Sequence, residues 1–109
     1  MDRRFTTTSF DFQGYKIVEY YGIVRGITVR SRSIVGNIGA GLQSLVGGNI
    51  TLYSELCEKA REEAYEKMMM HADATPANAI IGLRYDANEV AQGITEVLCY
   101  GTAVKIEKI

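Results

Sequence analysis

Hydrophobic and polar positions along this chain change period several times, and each change predicts an element. From Tyr15 to Val24 the sequence Tyr-Lys-Ile-Val-Glu-Tyr-Tyr-Gly-Ile-Val is rich in β-branched and aromatic residues, which predicts a strand. Gly26 punctuates it, and Ile27-Thr28-Val29-Arg30-Ser31 alternates as a second strand would. From about Leu52 to Ala72 the period becomes helical. Tyr53, Leu56, Cys57, Ala60, Ala64 and Met68 share one face, with Glu55, Glu58, Lys59, Glu62 and Glu66 mostly opposite. Thr51 is the expected N-cap and Pro76 the stop. Ala60 and Ala64 at the centre of the apolar face predict close approach to a sheet. The run Met68-Met69-Met70 points in three directions, and only Met68 joins the core face, leaving its neighbours for the helix end or another subunit. Ala79 to Asp86 reads as a further strand, Gln92-Gly93 as a turn and Ile94 to Ile106 as a long final strand.

That order predicts an α+β fold in two layers, one long helix on a mostly antiparallel sheet, as a single domain over residues 14–109. The polar segment 1–13 is expected to be loosely held. One helix covers one face only. The other face, carrying either Val18, Tyr20 and Val24 or Ile17, Tyr21 and Ile23, must find a partner or stay wet, and self-association is the simplest answer.

Between strand and helix lies a segment of different composition. Ser33 to Ser54 holds no charged residue over 22 positions and includes Gly36, Gly39, Gly41, Gly47 and Gly48. Such a segment reads as covered surface rather than a solvated linker, with Ala40 to Val46 forming a short helical turn that Gly47-Gly48 ends. It is long enough to span a bilayer, but Asn37, Gln43, Ser44, Asn49 and the glycines make it too polar to be a membrane segment. With 12 basic and 13 acidic residues no net field draws nucleic acid or an anionic membrane, and Arg25, Arg30 and Arg32 are too sparse for a binding patch. Two distant cysteines without a CxxC motif argue against a disulfide framework, and the N-terminus lacks a signal peptide's apolar run, so a reducing cytoplasm is expected.

Several segments in order resemble the YbjQ-like family of small bacterial and archaeal proteins, described as putative heavy-metal-binding. They are Ile17-Val18-Glu19-Tyr20 with Gly22-Ile23-Val24, then Ala40-Gly41-Leu42 and Val46-Gly47-Gly48, and Tyr53 with Ala60-Arg61. Ala77-Asn78-Ala79-Ile80-Ile81-Gly82 and Gly101-Thr102-Ala103-Val104-Lys105 complete the set. The resemblance implies a dodecin-like subunit that assembles into a ring, a homopentamer, with no established activity. It departs from the family pattern at Gln43-Ser44 and Asn49, where relatives carry Arg-Asp and Arg, at Pro76 in place of a glycine, and in a hairpin about two residues shorter around Gln92-Gly93.

For metal, the soft or borderline ligands are Cys57, Cys99, His71 and the methionines, none spaced like a zinc or copper site. Cys57 and His71 lie about 21 Å apart along one helix and cannot share an ion there. Both cysteines are expected in the core, Cys57 because relatives place leucine there. His71 is expected to serve the helix's last carbonyls. Glu19 and Asp86 sit on different strands and could meet only across subunits. There is no Gly-x-Ser-x-Gly elbow and no phosphate loop. The reading is therefore a non-enzymatic, ring-forming module without cofactor, pairing with itself through edge strands and through Ala40, Gly41, Leu42, Val46, Gly47, Gly48 and Tyr20. The alternative is a small-ligand or soft-metal binder with a site between subunits, walled by Tyr20, Tyr21, Tyr85 and Tyr100.

Overall fold

The computed structural model describes residues 1–31 and 50–109, with side chains described for 1–30 and 54–109. A 3-10 turn, Arg3–Phe5, leads to β1 (Tyr15–Ser31), α1 (Ile50–Asp73), β2 (Ala79–Ala91) and β3 (Ile94–Lys108). The strands form one antiparallel sheet in the order β1-β3-β2. The expected segment Ala40–Val46 with Gly47-Gly48 lies outside the described residues, as do Arg32 and Gln43 to Asn49.

Gly26 does not divide two strands. It sits within one continuous strand, paired with Cys99. A Cβ built there would collide with the Ala64 carbonyl oxygen and the Met68 amide nitrogen, and would lie 2.8 Å from the Lys67 Cβ. The missing side chain lets the helix backbone rest directly on β1, and Ala64 supplies the complementary small surface. Close approach is thus written twice, once on each element. Thr51 lies inside α1 rather than capping it, because Ile50 before it is already helical. At the other end α1 stops at Asp73, and the Thr75 hydroxyl donates to the Ala72 carbonyl 2.6 Å away before Pro76 is reached. β2 and β3 meet in a two-residue turn, where Gly93 takes a φ of 73° that a side chain would oppose.

Directly paired residues share a sheet face. On the helix side, Val24, Leu83, Val97, Cys99 and Ala103 pack beneath Ala60, Ala64, Tyr65, Met68, Met69 and Ala72. On the outer side, Ala79, Ile81, Val104 and Ile106 are covered by Phe5, Phe12, Tyr15 and Ile17. Two register shifts in β1, after Ile17 and after Tyr20, move its alternation. Tyr21 and Val24 therefore face the helix together, while Ile17, Tyr20 and Ile23 face outward. Neither simple alternation of β1 holds, because each bulge adds a residue.

The N-terminal segment supplies what the helix cannot. The Thr7 amide donates to the Ile80 carbonyl, the Leu83 amide to the Thr7 carbonyl and the Gly82 amide to the Ser9 carbonyl. Residues 6–9 thus run along the first half of β2 as an added edge. Arg3 pairs with Glu62 and lies over the Tyr65 ring, and the Thr6 and Tyr65 hydroxyls are 2.8 Å apart. This flank covering helps bury Tyr65, and Met69, which the helical pattern alone places off the core face, is buried in the same cluster.

The molecule is long, with extents of 57 × 25 × 18 Å and a Cα radius of gyration of 17.2 Å. A compact domain of this length has a radius near about 13 Å. A strand of 17 residues spans about 56 Å, whereas a helix of 24 residues spans about 36 Å. The helix is too short for the sheet it covers.

Candidate functional site

The three candidate soft ligands fall in three separate environments. Cys99 lies fully buried on β3, its Sγ 3.6 Å from the Sδ of Met68 on α1. Burial pushes its thiol up to about 11, although a hydrogen bond with Tyr85 acts the other way. The Tyr85 hydroxyl is pushed up to about 12, first by desolvation and then by the neighbouring thiol. The pair is thus a neutral thiol against a thioether, with the phenol on β2 beside it. Ionising either group inside this environment is unfavourable, so the cluster favours packing over nucleophilic chemistry.

Cys57 is exposed, against the expectation of a core position. Its helical face is right, since Ala60, Ala64 and Met68 continue the same stripe. Its place along the helix is not, because burial among the described residues of α1 begins at Ala60. From Cys57 to Met68 the helix rises about 16 Å. Cys57 and Cys99 cannot hold one ion within a subunit. His71 is exposed and does not serve the last-turn carbonyls. Its Nδ1 accepts the Arg25 backbone N–H at 3.1 Å, on the outer edge of β1. One turn earlier, Lys67 Nζ donates to the Ile27 carbonyl at 3.0 Å. Two helix side chains therefore occupy groups that a neighbouring strand would otherwise use. Among the described residues, no three of His, Cys, Asp and Glu gather into a metal site.

The other candidates separate in the same way. Tyr21 and Tyr85 lie on the helix side of the sheet, while Tyr20 and Tyr100 lie on the outer side, so the four do not wall one site within a subunit. Glu19 pairs with Lys105 and Asp86 with Leu98, on opposite faces and seven residues apart along β3, about 23 Å. Tyr20 is largely exposed, as an interface residue must be in an isolated chain. The remaining interface candidates, Ala40, Gly41, Leu42, Val46, Gly47 and Gly48, lie outside the described residues. Thr28 is buried beneath the helix with no hydrogen-bond partner for its hydroxyl among the described residues.

A broader surface was less visible from sequence. Ile23, Arg25, Ile27 and Val29 occupy consecutive outward positions on β1, and the register sets Thr102, Tyr100, Leu98 and Glu96 beside them on β3. Ile23 is 72% exposed and Val29 55%. Among the described residues this part of the outer face has no cover. Alternation in β1 foretells a second face, but only the bulges decide which residues occupy it. No helix of the described residues is long and apolar enough to cross a membrane.

Comparison with known proteins places this geometry in a family. The YbjQ family, described as putative heavy-metal-binding, matches residues 5–107. A UPF0145 protein of Chromobacterium violaceum is 60% identical over 106 residues, spanning 97% of this chain and 91% of that relative. A UPF0145 protein of Solibacter usitatus is 58% identical, spanning 94% and 91%. A crystal structure of a protein of unknown function from Pediococcus pentosaceus, of the DUF74 family, superposes with a TM-score of 0.60 at 25% identity, covering 94% of this chain and 97% of that one. The chain belongs to the YbjQ family.

Proposed function

We propose that this YbjQ family member acts without catalysis, as a cytoplasmic module that assembles with copies of itself into a closed ring. Five subunits is the number its family resemblance implies, and a dodecin-like arrangement of helix and sheet suits it. One observation carries the reading: along the outward row of β1, Ile23, Ile27 and Val29, interrupted by Arg25 alone, are exposed with no cover among the described residues, on a subunit far longer than a compact domain. Leaving such a row in water forfeits roughly 25 cal/mol per Å² of burial, and a second copy recovers it. Native mass spectrometry at micromolar concentration is the test. A discrete oligomer is expected, and a stable monomer would end the proposal.

The second reading is soft-metal binding, and the Cys99–Met68 sulfur contact favours it. A thiolate and a thioether suit copper(I) or mercury(II), yet two donors within a subunit are few and the thiol must first lose its proton. Titration with copper(I) or mercury(II), in the native sequence and in a Cys57→Ser, Cys99→Ser variant, decides it. Equal binding by both would exclude the thiols.

A further inference from the structure

The sheet has two outer strands, and each is open over a different stretch. β2 is closed over Ala79–Leu83 by residues 6–9 of the same chain. Beyond Arg84, whose guanidinium reaches the Thr8 carbonyl, no described residue pairs with its outer edge from Tyr85 to Ala91. β1 is occupied at Arg25 and Ile27 by His71 and Lys67. In its first half the Tyr15 amide donates to the Phe12 carbonyl, and from Lys16 to Ile23 there is no such cover among the described residues. The open stretches also carry exposed apolar side chains: Val18, Tyr20 and Ile23 on β1, Tyr85 and Val90 on β2.

Hydrogen-bond alternation settles which backbone groups point outward. Arg25 and Ile27 turn their backbone groups away from β3, so Gly26 bonds to Cys99. Cys99 then faces β1, and Leu98 and Tyr100 face β2, where they meet Asp86 and Arg84. Tyr85 and Ala87 are left with their N–H and C=O groups on the open edge. The Leu83 amide, two residues earlier, follows the same rule in reaching Thr7.

The geometry points to strand addition between copies of this chain, with the Tyr85–Ala91 edge of β2 joining the Lys16–Ile23 edge of β1 in the next subunit. It rests on the assembly reading and specifies its contact. Charge favours this partner over a two-fold pairing of like edges. The open part of β2 carries Asp86 and Glu89 and no cation, so two such edges repel. On β1 the open stretch carries Lys16 beside Glu19, and the Arg25 side chain lies just beyond its end, so the acidic edge meets two cations against one anion. Backbone bonds supply the attraction and the exposed apolar side chains the burial. Because the two edges lie on opposite outer strands, the contact is head-to-tail. Repetition of such a contact closes a ring when the rotation fits and otherwise grows a filament.

The test blocks each edge separately. Ala87→Pro removes one outward N–H without touching a bond to β3, and Ile23→Pro does the same on β1. Each variant alone is expected to run as a monomer in native mass spectrometry while keeping the native far-ultraviolet circular dichroism. Mixed in equal amounts, they retain one intact edge each and should form a one-to-one heterodimer. An Asp86→Lys, Glu89→Lys variant gives the same answer without proline and should dissociate at protein concentrations at least tenfold higher than the native sequence. It replaces Ala87→Pro if that variant fails to fold. An oligomer unchanged by the β2 variants overturns the edge assignment and leaves the assembly reading standing. Single variants that are monomeric but form no heterodimer on mixing overturn the head-to-tail contact. A monomeric native protein overturns both.

Discussion

The two halves of β2 differ sharply in what covers them. Ala79, Ile80, Ile81 and Leu83 are buried, while every residue from Arg84 to Ala91 is exposed. The strand is continuous and its register with β3 persists apart from two shifts. What changes is the cover: α1 and residues 1–12 enclose the first half on both faces, and the second half projects past them. An unbroken apolar run marks strand covered on both faces, and polar strand marks strand left open. β2 writes both conditions in one element.

The sharpest way to test that contrast is to cut the same kind of side chain from each half. Ile80→Ala removes a fully buried side chain and should cost about 3 kcal/mol in urea unfolding. Val90→Ala in the open half should change stability by less than about 0.5 kcal/mol in the isolated subunit. A Val90→Ala loss comparable to that of Ile80→Ala would show that the open half is covered in the assembled state.

Gly26→Ala tests the covered side from beneath. The new methyl would meet helix backbone rather than a yielding side chain tip, so α1 must lift from β1. We expect a loss of about 2–3 kcal/mol, the upper range for overpacking, with the urea midpoint lowered and the slope retained. A neutral result would mean that the helix shifts at no cost and that the contact is not what fixes the two layers.

That glycine also marks where the sequence could be read and where it misled. The helix, the sheet, the final hairpin and the small-residue contact of Ala60 and Ala64 were legible because periodicity and residue size report local geometry directly. Gly26 was read as punctuation, since glycine at a turn and glycine beneath a helix look the same in one dimension. Tyr65 was hidden because part of its cover comes from Arg3 and Thr6, more than 55 positions away in sequence. Cys57 failed for a related reason, as periodicity gives the face of a helix but not how far the core extends along it. The outward face of β1 depended on two bulges, which composition does not announce.

Alkaline titration distinguishes the halves where they join, at Cys99 and Tyr85. Both groups are held above their ordinary values, to about 11 and about 12, so the folded state favours their protonated forms. Their contribution is complete below about pH 9 and is lost as pH rises toward 11 and 12, because the unfolded chain ionises first. Urea midpoints should therefore fall above pH 9, and the fall should shrink in Cys99→Ser if that variant folds cooperatively. A midpoint unchanged between pH 8 and 11 would mean that solvent reaches Cys99 and that the junction belongs to the open region.

The smallest expected effect concerns the edge that the helix guards. His71→Ala removes the acceptor for the Arg25 amide, and Lys67→Met removes the donor to the Ile27 carbonyl. Both backbone groups lie on an outer strand where water can replace the lost partner, so each change should cost no more than about 1 kcal/mol. Their larger consequence is for pairing rather than folding. With both guards gone, β1 offers an uninterrupted outer edge from Ile23 to Val29, and concentration-dependent association beyond the native oligomer should appear in sedimentation velocity. If the double variant sediments as the native protein does, these two contacts are incidental helix packing. If higher species appear, the helix limits strand addition to the half of β1 that it leaves open, just as residues 6–9 limit it on β2.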